Sequence, residues 1–184
     1  MKTLTALIET ANRQLGKVQD LRASFAGVLD AKPDPKTWSI AEVIQHLNLT
    51  FDLYLPRIVE GLKDAADAEE VIDEYPLSAM TALMIKGTAP KGNKRKWHSK
   101  TFKFFVPDVK NEEETFSRFE DQHRLFVDLL KRMRHKQHAK VKIVSAAGPM
   151  LKFRLGEAAA FLLAHQERHL VQADEVGRQL IAAT

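Results

Sequence analysis

Phe161-Leu162-Leu163-Ala164-His165-Gln166-Glu167-Arg168-His169-Leu170-Val171-Gln172 is the stretch on which the reading turns. On a helix, residues four apart stack on one face about one turn from each other. His165 and His169 therefore sit one above the other, the spacing with which a helix offers two imidazoles to one metal ion. Ala158, Phe161, Leu162, Ala173, Val176 and Leu180 mark an apolar stripe on the same face. A core histidine needs a hydrogen-bond partner or a ligand, and a shared ligand satisfies two at once. Two separately satisfied structural histidines are the alternative at this point.

Working outward, a second helix starts at Trp38-Ser39-Ile40-Ala41-Glu42-Val43. Ser39 followed three residues on by Glu42 is a capping box, with Trp38 and Val43 placed as its hydrophobic staple. The apolar period continues through Ile44, Leu47, Phe51 and Tyr54, with Pro56 as a kink or the start of a new turn and Gly61 as the expected end. His46 lies two turns in, beside that apolar face. A lone histidine there reads first as structural.

Upstream, residues 3–30 carry Leu4, Leu7, Ile8, Ala11, Leu15, Val18, Leu21, Phe25 and Val28 at helical spacing, and Pro33 and Pro35 break the chain after them. A third long helix begins near Asn111 with the seam Phe116, Phe119, His123, Phe126, Leu130 and Met133. His123 reads as a core histidine bonded to a buried polar group, or, more sharply, as a fourth ligand or a partner to the metal site. His135 and His138 stand in a basic segment and read as surface residues. Val141–Val144 reads as a short extended piece, Gly148-Pro149 as a turn, and about 155–181 as the last helix. Four long amphipathic helices with one long crossover between the second and third predict an all-α four-helix bundle.

The crossover, residues 64–110, is the least regular part. It holds an acidic 65–72 stretch, a short amphipathic helix over 77–85, and an extended-looking 102–107 run. Trp97 and His98 lie in it without a spacing that commits them. A connection this long reads as a functional lid or crossover. Its cations, Lys86, Lys91, Lys94, Arg95, Lys96, Lys100, Lys103 and Lys110, face one acid, Asp108, in the same stretch. Such clusters are more often solvated loops than nucleic-acid sites, and nucleic acid is not the expected partner.

The 184 residues, 45% hydrophobic and 28% charged, suit one globular domain spanning 1–184. The chain has no cysteine, which removes disulfides, thiolate metal ligands and a cysteine nucleophile. The first charge comes too early for a secretory signal and no apolar run reaches membrane length, so a cytoplasmic protein without a membrane partner is expected.

The Trp38–Leu47 and Leu155–Gln172 stretches together resemble the DinB-like metalloprotein superfamily, which includes proteins similar to bacillithiol and mycothiol S-transferases. Its pattern is a tryptophan–serine helix start followed by a histidine, then H-x-x-x-H and a glutamine in the last helix. Both halves match here in order and spacing. The resemblance implies that His46, His165 and His169 are the metal ligands, with Gln172 and Glu42 as supporting groups. Three imidazoles leave an open coordination position. They suit one divalent transition metal among zinc, nickel, iron and copper, with Zn2+ or Ni2+ expected first. It further implies a homodimer and a metal-dependent transferase or hydrolase acting on a small-molecule substrate, in some members through an activated low-molecular-weight thiol. A non-catalytic metal-binding or stress-response bundle is the alternative. A metalloprotease is excluded, because Gln166 follows the first histidine and Glu167 lies about 200° round the helix from it.

Overall fold

The computed structural model describes residues 2–63, 71–90, 102–146 and 148–183. Four long helices form the body: α1 (Leu4–Ser24), α2 (Ile40–Lys63), α4 (Glu112–Arg132) and α5 (Leu155–Ala182). A shorter α3 (Ala79–Thr88) packs on α5. Strands β1 (Lys2–Thr3) and β2 (Glu74–Tyr75) pair antiparallel, as do β3 (Lys142–Ser145) and β4 (Gly148–Arg154). Two 3₁₀ turns, Lys103–Phe105 and Lys136–Lys140, flank α4 in sequence.

Local chemistry sets the helix starts. Thr3 Oγ1 accepts from the Ala6 amide at 3.1 Å to cap α1. Ser39 and Glu42 close the capping box at α2, with Ser39 Oγ accepting at 3.1 Å and Glu42 Oε2 accepting at 2.9 Å. Asn111 Oδ1 accepts from the Glu114 amide at 3.1 Å, and Glu112, Glu113 and Glu114 place negative charge at the positive end of α4. Before α5, the Glu157 carboxylate accepts from its own cap amide, Arg154, at 2.9 Å and from the Ser78 amide at 2.7 Å. Burial pushes that carboxyl up, but these bonds together outweigh it and hold it below the usual range.

Around the bundle axis the order is α1, α4, α2, α5, so helices adjacent in sequence (α1 with α2, α4 with α5) occupy the diagonals. This arrangement makes α4 the bundle neighbour of α2, to which the long crossover joins it. It also puts α2 beside α5, the contact on which the histidines depend. The interior is filled by Ile40, Ile44, Phe51 and Ile58 of α2, Phe116, Phe119, Phe126 and Leu130 of α4, and Leu155, Ala159 and Ala173 of α5. Among the described residues no helix is long and apolar enough to cross a membrane.

Several local expectations are corrected. Gly61 does not end α2, which runs on to Lys63; a Cβ there would meet Val141 Cγ1 at 3.0 Å, so the glycine admits the β3–β4 hairpin. Gly148-Pro149 is not the turn but the start of β4. The 102–107 run holds a 3₁₀ turn with extended backbone on either side. His138 is buried, at 2% exposure, because the Lys136–Lys140 turn packs against α5; the basic residues around it carry the exposure that the sequence suggested. Of the acidic 65–72 stretch, 65–70 lie outside the described residues, as do Trp97, His98 and the 91–100 cations.

Two glycines on α5 mark close approaches. A Cβ on Gly156 would lie 2.4 Å from Tyr75 Cδ1, and one on Gly177 would lie 2.6 Å from Phe25 Cε2. Tyr75 is fully buried and has little room to give. We expect Gly156→Ala to cost about 1–3 kcal/mol by overpacking, read as a lower urea midpoint. Gly16→Ala in α1, where a Cβ meets nothing within 4 Å, should be neutral or stabilise by up to about 1 kcal/mol.

Candidate metal centre

His46 comes from the middle of α2, and His165 and His169 from one face of α5. The helix contact brings one ring nitrogen of each within 4.8 Å of the others. Ring centroids are 4.5 Å apart for His46–His169 and His165–His169, and 5.2 Å for His46–His165. His46 and His169 are buried, at 4% and 9% exposure, and His165 is half-buried. Among the described residues this is the group of three or more potential ligands that converges on one point, and no carboxylate joins it.

Hydrogen bonds fix two of the rings. His46 Nδ1 lies 2.8 Å from the Phe105 carbonyl, which can only accept, so the proton is on Nδ1. His169 Nδ1 donates to Gln172 Oε1 at 3.0 Å. Both rings therefore carry their lone pair on Nε2. His46 Nε2 lies 3.4 Å from His165 Nε2, and two nitrogens on a tetrahedral zinc at about 2.05 Å each would be separated by about 3.3–3.4 Å. His165 Nδ1 is buried and has no hydrogen-bond partner among the described residues. The donor set, its tautomers and its spacing fit a divalent transition metal.

Trp38 and Phe105 flank the cluster. The Trp38 ring lies 5.1 Å from His46 and 6.4 Å from His169, and Phe105 stands edge-on to His46 at 5.9 Å. Trp38, read from sequence as half of a staple, thus lies against two of the imidazoles. Phe105 was not legible as a site residue, because its part is played by a backbone carbonyl.

Of the groups expected to support the site, Gln172 accepts from a ring of the cluster. Glu42 does not: its oxygens are taken by the Ser39 amide and by Lys32 Nζ at 2.7 Å. The capping box claims the carboxylate that a metal site would have used. His123 is fully buried and satisfied on both nitrogens. Its Nε2 donates to the Ala11 carbonyl at 2.8 Å, and its Nδ1 accepts from Gln166 Nε2 at 3.2 Å. Glu167 turns away to α1, where it accepts from Gln14 Nε2 at 2.8 Å and pairs with Lys17. The H-E-x-x-H arrangement is thus excluded in space as well as in sequence.

Electrostatics keep the cluster neutral. Burial, then the nearby His46 and Arg168 charges, bring His165 down to about 3. Burial, then the charges of His165 and His46, hold His169 well below its ordinary value, partly offset by Gln172. Burial also lowers His46, partly offset by the Phe105 bond. Neutral imidazoles are the form that binds metal.

A helical bundle carrying a three-histidine group able to hold a metal ion defines the class of this protein. The chain belongs to the DinB superfamily, which it matches over residues 12–173. A solved structure of similar fold is that of YfiT from Bacillus subtilis, described as a probable metal-dependent hydrolase with an unusual four-helix bundle topology. It superposes with a TM-score of 0.60 at 14% identity, covering 96% of this chain and 87% of that one. That likeness bears on the fold. A search of curated proteins gives no significant match.

Two outcomes are expected. His123→Leu should keep a full metal equivalent while costing about 2 kcal/mol, since Ala11 and Gln166 lose a buried partner; metal analysis beside urea unfolding checks both. In the metal-free protein the unfolded chain binds protons near pH 6.5 that the folded cluster refuses. The stabilisation is therefore complete above about pH 6.5 and declines as pH falls, continuing for His165 toward about 3. Between pH 6.5 and 5 the unfolding free energy of the metal-free wild type should fall more steeply than that of His165→Gln.

Proposed function

We infer that His46, His165 and His169 hold one divalent transition metal, Zn2+ or Ni2+, and that the protein is a metal-dependent enzyme acting on a small molecule. Hydrolysis is the reaction it fits first, with transfer involving a low-molecular-weight thiol as the variant. The observation that carries this reading is the convergence of three neutral ring nitrogens within 4.8 Å, two with protonation fixed by acceptors behind them. Three protein ligands on a preferred four-coordinate ion leave a place for water or substrate. The YfiT description, a probable metal-dependent hydrolase on a similar fold, supports the same class.

When bound, the ion would lower the pKa of a coordinated water or thiol toward neutrality. The chain's own residues supply the rest. Phe105 and Gln172 hold two rings in the ligating tautomer, and Trp38 and Phe105 restrict water around them. With no carboxylate joining the cluster among the described residues, proton transfer falls to solvent or substrate groups. The chain has no cysteine, so a thiol nucleophile would arrive as co-substrate. A cytoplasmic, homodimeric enzyme completes the proposal.

Elemental analysis of the tag-free protein should find one transition-metal equivalent, removed by chelation and restored by zinc or nickel. His46→Ala, His165→Ala and His169→Ala should each hold less than about a tenth of an equivalent after dialysis while circular dichroism stays helical, the loss expected when an open site falls to two ligands. A full equivalent retained in all three variants would sink the assignment.

A further inference from the structure

We propose that Phe102, Phe104 and Phe105, beside His46, form the binding wall for an aromatic group on a substrate that also offers an oxygen to the metal; this rests on the metal-centre reading above. Single exposed apolar residues are ordinary on a protein surface. These are not single. Phe102 and Phe104 are 58% and 55% exposed, and their rings lie almost parallel, 4° apart at a centroid separation of 5.6 Å. Phe104 in turn lies 4.5 Å from Phe105. Phe105 reaches the cluster twice, with its carbonyl on His46 Nδ1 at 2.8 Å and its ring 5.9 Å from the imidazole. The result is a ladder of rings that begins at a metal-ligating histidine and ends in solvent.

Its position is what assigns the occupant. Beside His165, a space of ≈ 10 Å³ is lined by Leu47, Thr50, Phe51, Leu162, His165 and Gln166. That is about one water and no substrate. A substrate has no room there, whereas the Lys103–Phe105 turn packs on α2 at His46 and carries its rings out to solvent. Aromatic faces recognise planar aromatic groups by offset stacking and by excluding water. A cationic centre beside them selects an oxygen donor, neutral carbonyl or anionic. The ligand class is therefore a small aryl compound bearing a carbonyl or acidic oxygen, rather than a purely aliphatic one.

Hydroxamates bind divalent ions through two oxygens and carry a variable side group, so they serve as probes. Zinc uptake is first measured by titration. The zinc-loaded protein is then titrated calorimetrically with 2-naphthohydroxamate and with acetohydroxamate. Wild type should prefer the naphthyl probe to acetohydroxamate by about five- to tenfold, the worth of one good aromatic contact. Phe102→Ser and Phe104→Ser should reduce that preference toward unity without changing acetohydroxamate affinity. Both side chains are exposed, so neither change opens a core cavity. Leu83→Ser, which alters an apolar residue 71% exposed on α3, is the control and should keep the full preference.

Zinc uptake with equal affinity for the two probes, with no binding of either, or with a preference that survives both phenylalanine changes, would overturn the aromatic wall and leave the metal centre standing. No zinc uptake would overturn the metal-centre reading, and the wall with it.

Discussion

Three imidazoles in one desolvated pocket cannot all be charged, and much else in this fold follows from that constraint. Their centroids lie 4.5–5.2 Å apart, so protonating one would set a cation against the others in a region poor in water. The cluster is held neutral instead. Neutrality alone is not enough, because a neutral imidazole can carry its proton on either nitrogen. The Phe105 carbonyl and the Gln172 amide oxygen settle that choice for His46 and His169 by accepting from Nδ1. The Nε2 lone pairs of both rings are thus set in advance, and less reorganisation would be left for an ion's binding to supply.

This works only if α5 keeps its rotation and height against α2, and α5 is pinned from several directions. Gln14 of α1 donates to the Leu163 carbonyl at 3.0 Å and to Glu167. His123 of α4 meets Gln166 across the diagonal. Glu157 ties the helix start to Ser78, just before α3. Gly156 and Gly177 let Tyr75 and Phe25 approach where any side chain would push the helix away. The residues that flank the histidines in sequence, Gln166 and Glu167, are thereby spent on position. Sites carried by rigid helices hold their geometry more closely than sites on loops, and two of the three histidines here share one helix.

Much of this was legible in the sequence, and for identifiable reasons. His165 and His169 announce themselves by helical spacing, and Ser39 with Glu42 by capping chemistry, both local rules that need no tertiary information. The seam through Phe116, Phe119, His123 and Phe126 gave α4 and its buried face. What escaped depends on contacts between distant segments. Gly61 reads as a helix end by composition, yet serves a close approach to a hairpin that lies some eighty residues later in the chain. Glu42 sits one turn from His46 and could have supported it, but two partners near the helix start claim its oxygens first. Phe105 contributes a carbonyl, and every residue has one, so no residue type could have marked it.

Phe105 also joins two parts of the molecule that the sequence keeps separate. It lies near the end of the crossover, the least regular segment, while its carbonyl orients His46 on one of the most regular helices. The long crossover joins two helices, α2 and α4, that are neighbours in the bundle. It carries the chain past His46, whose Nδ1 donates to the Phe105 carbonyl. A hairpin between α2 and α4 would have spared the connection but left His46 Nδ1 without this acceptor, buried at a cost of about 1–3 kcal/mol. The connection read from sequence as a lid or crossover is thus a crossover by topology, and through the Phe105 carbonyl it is also part of the site.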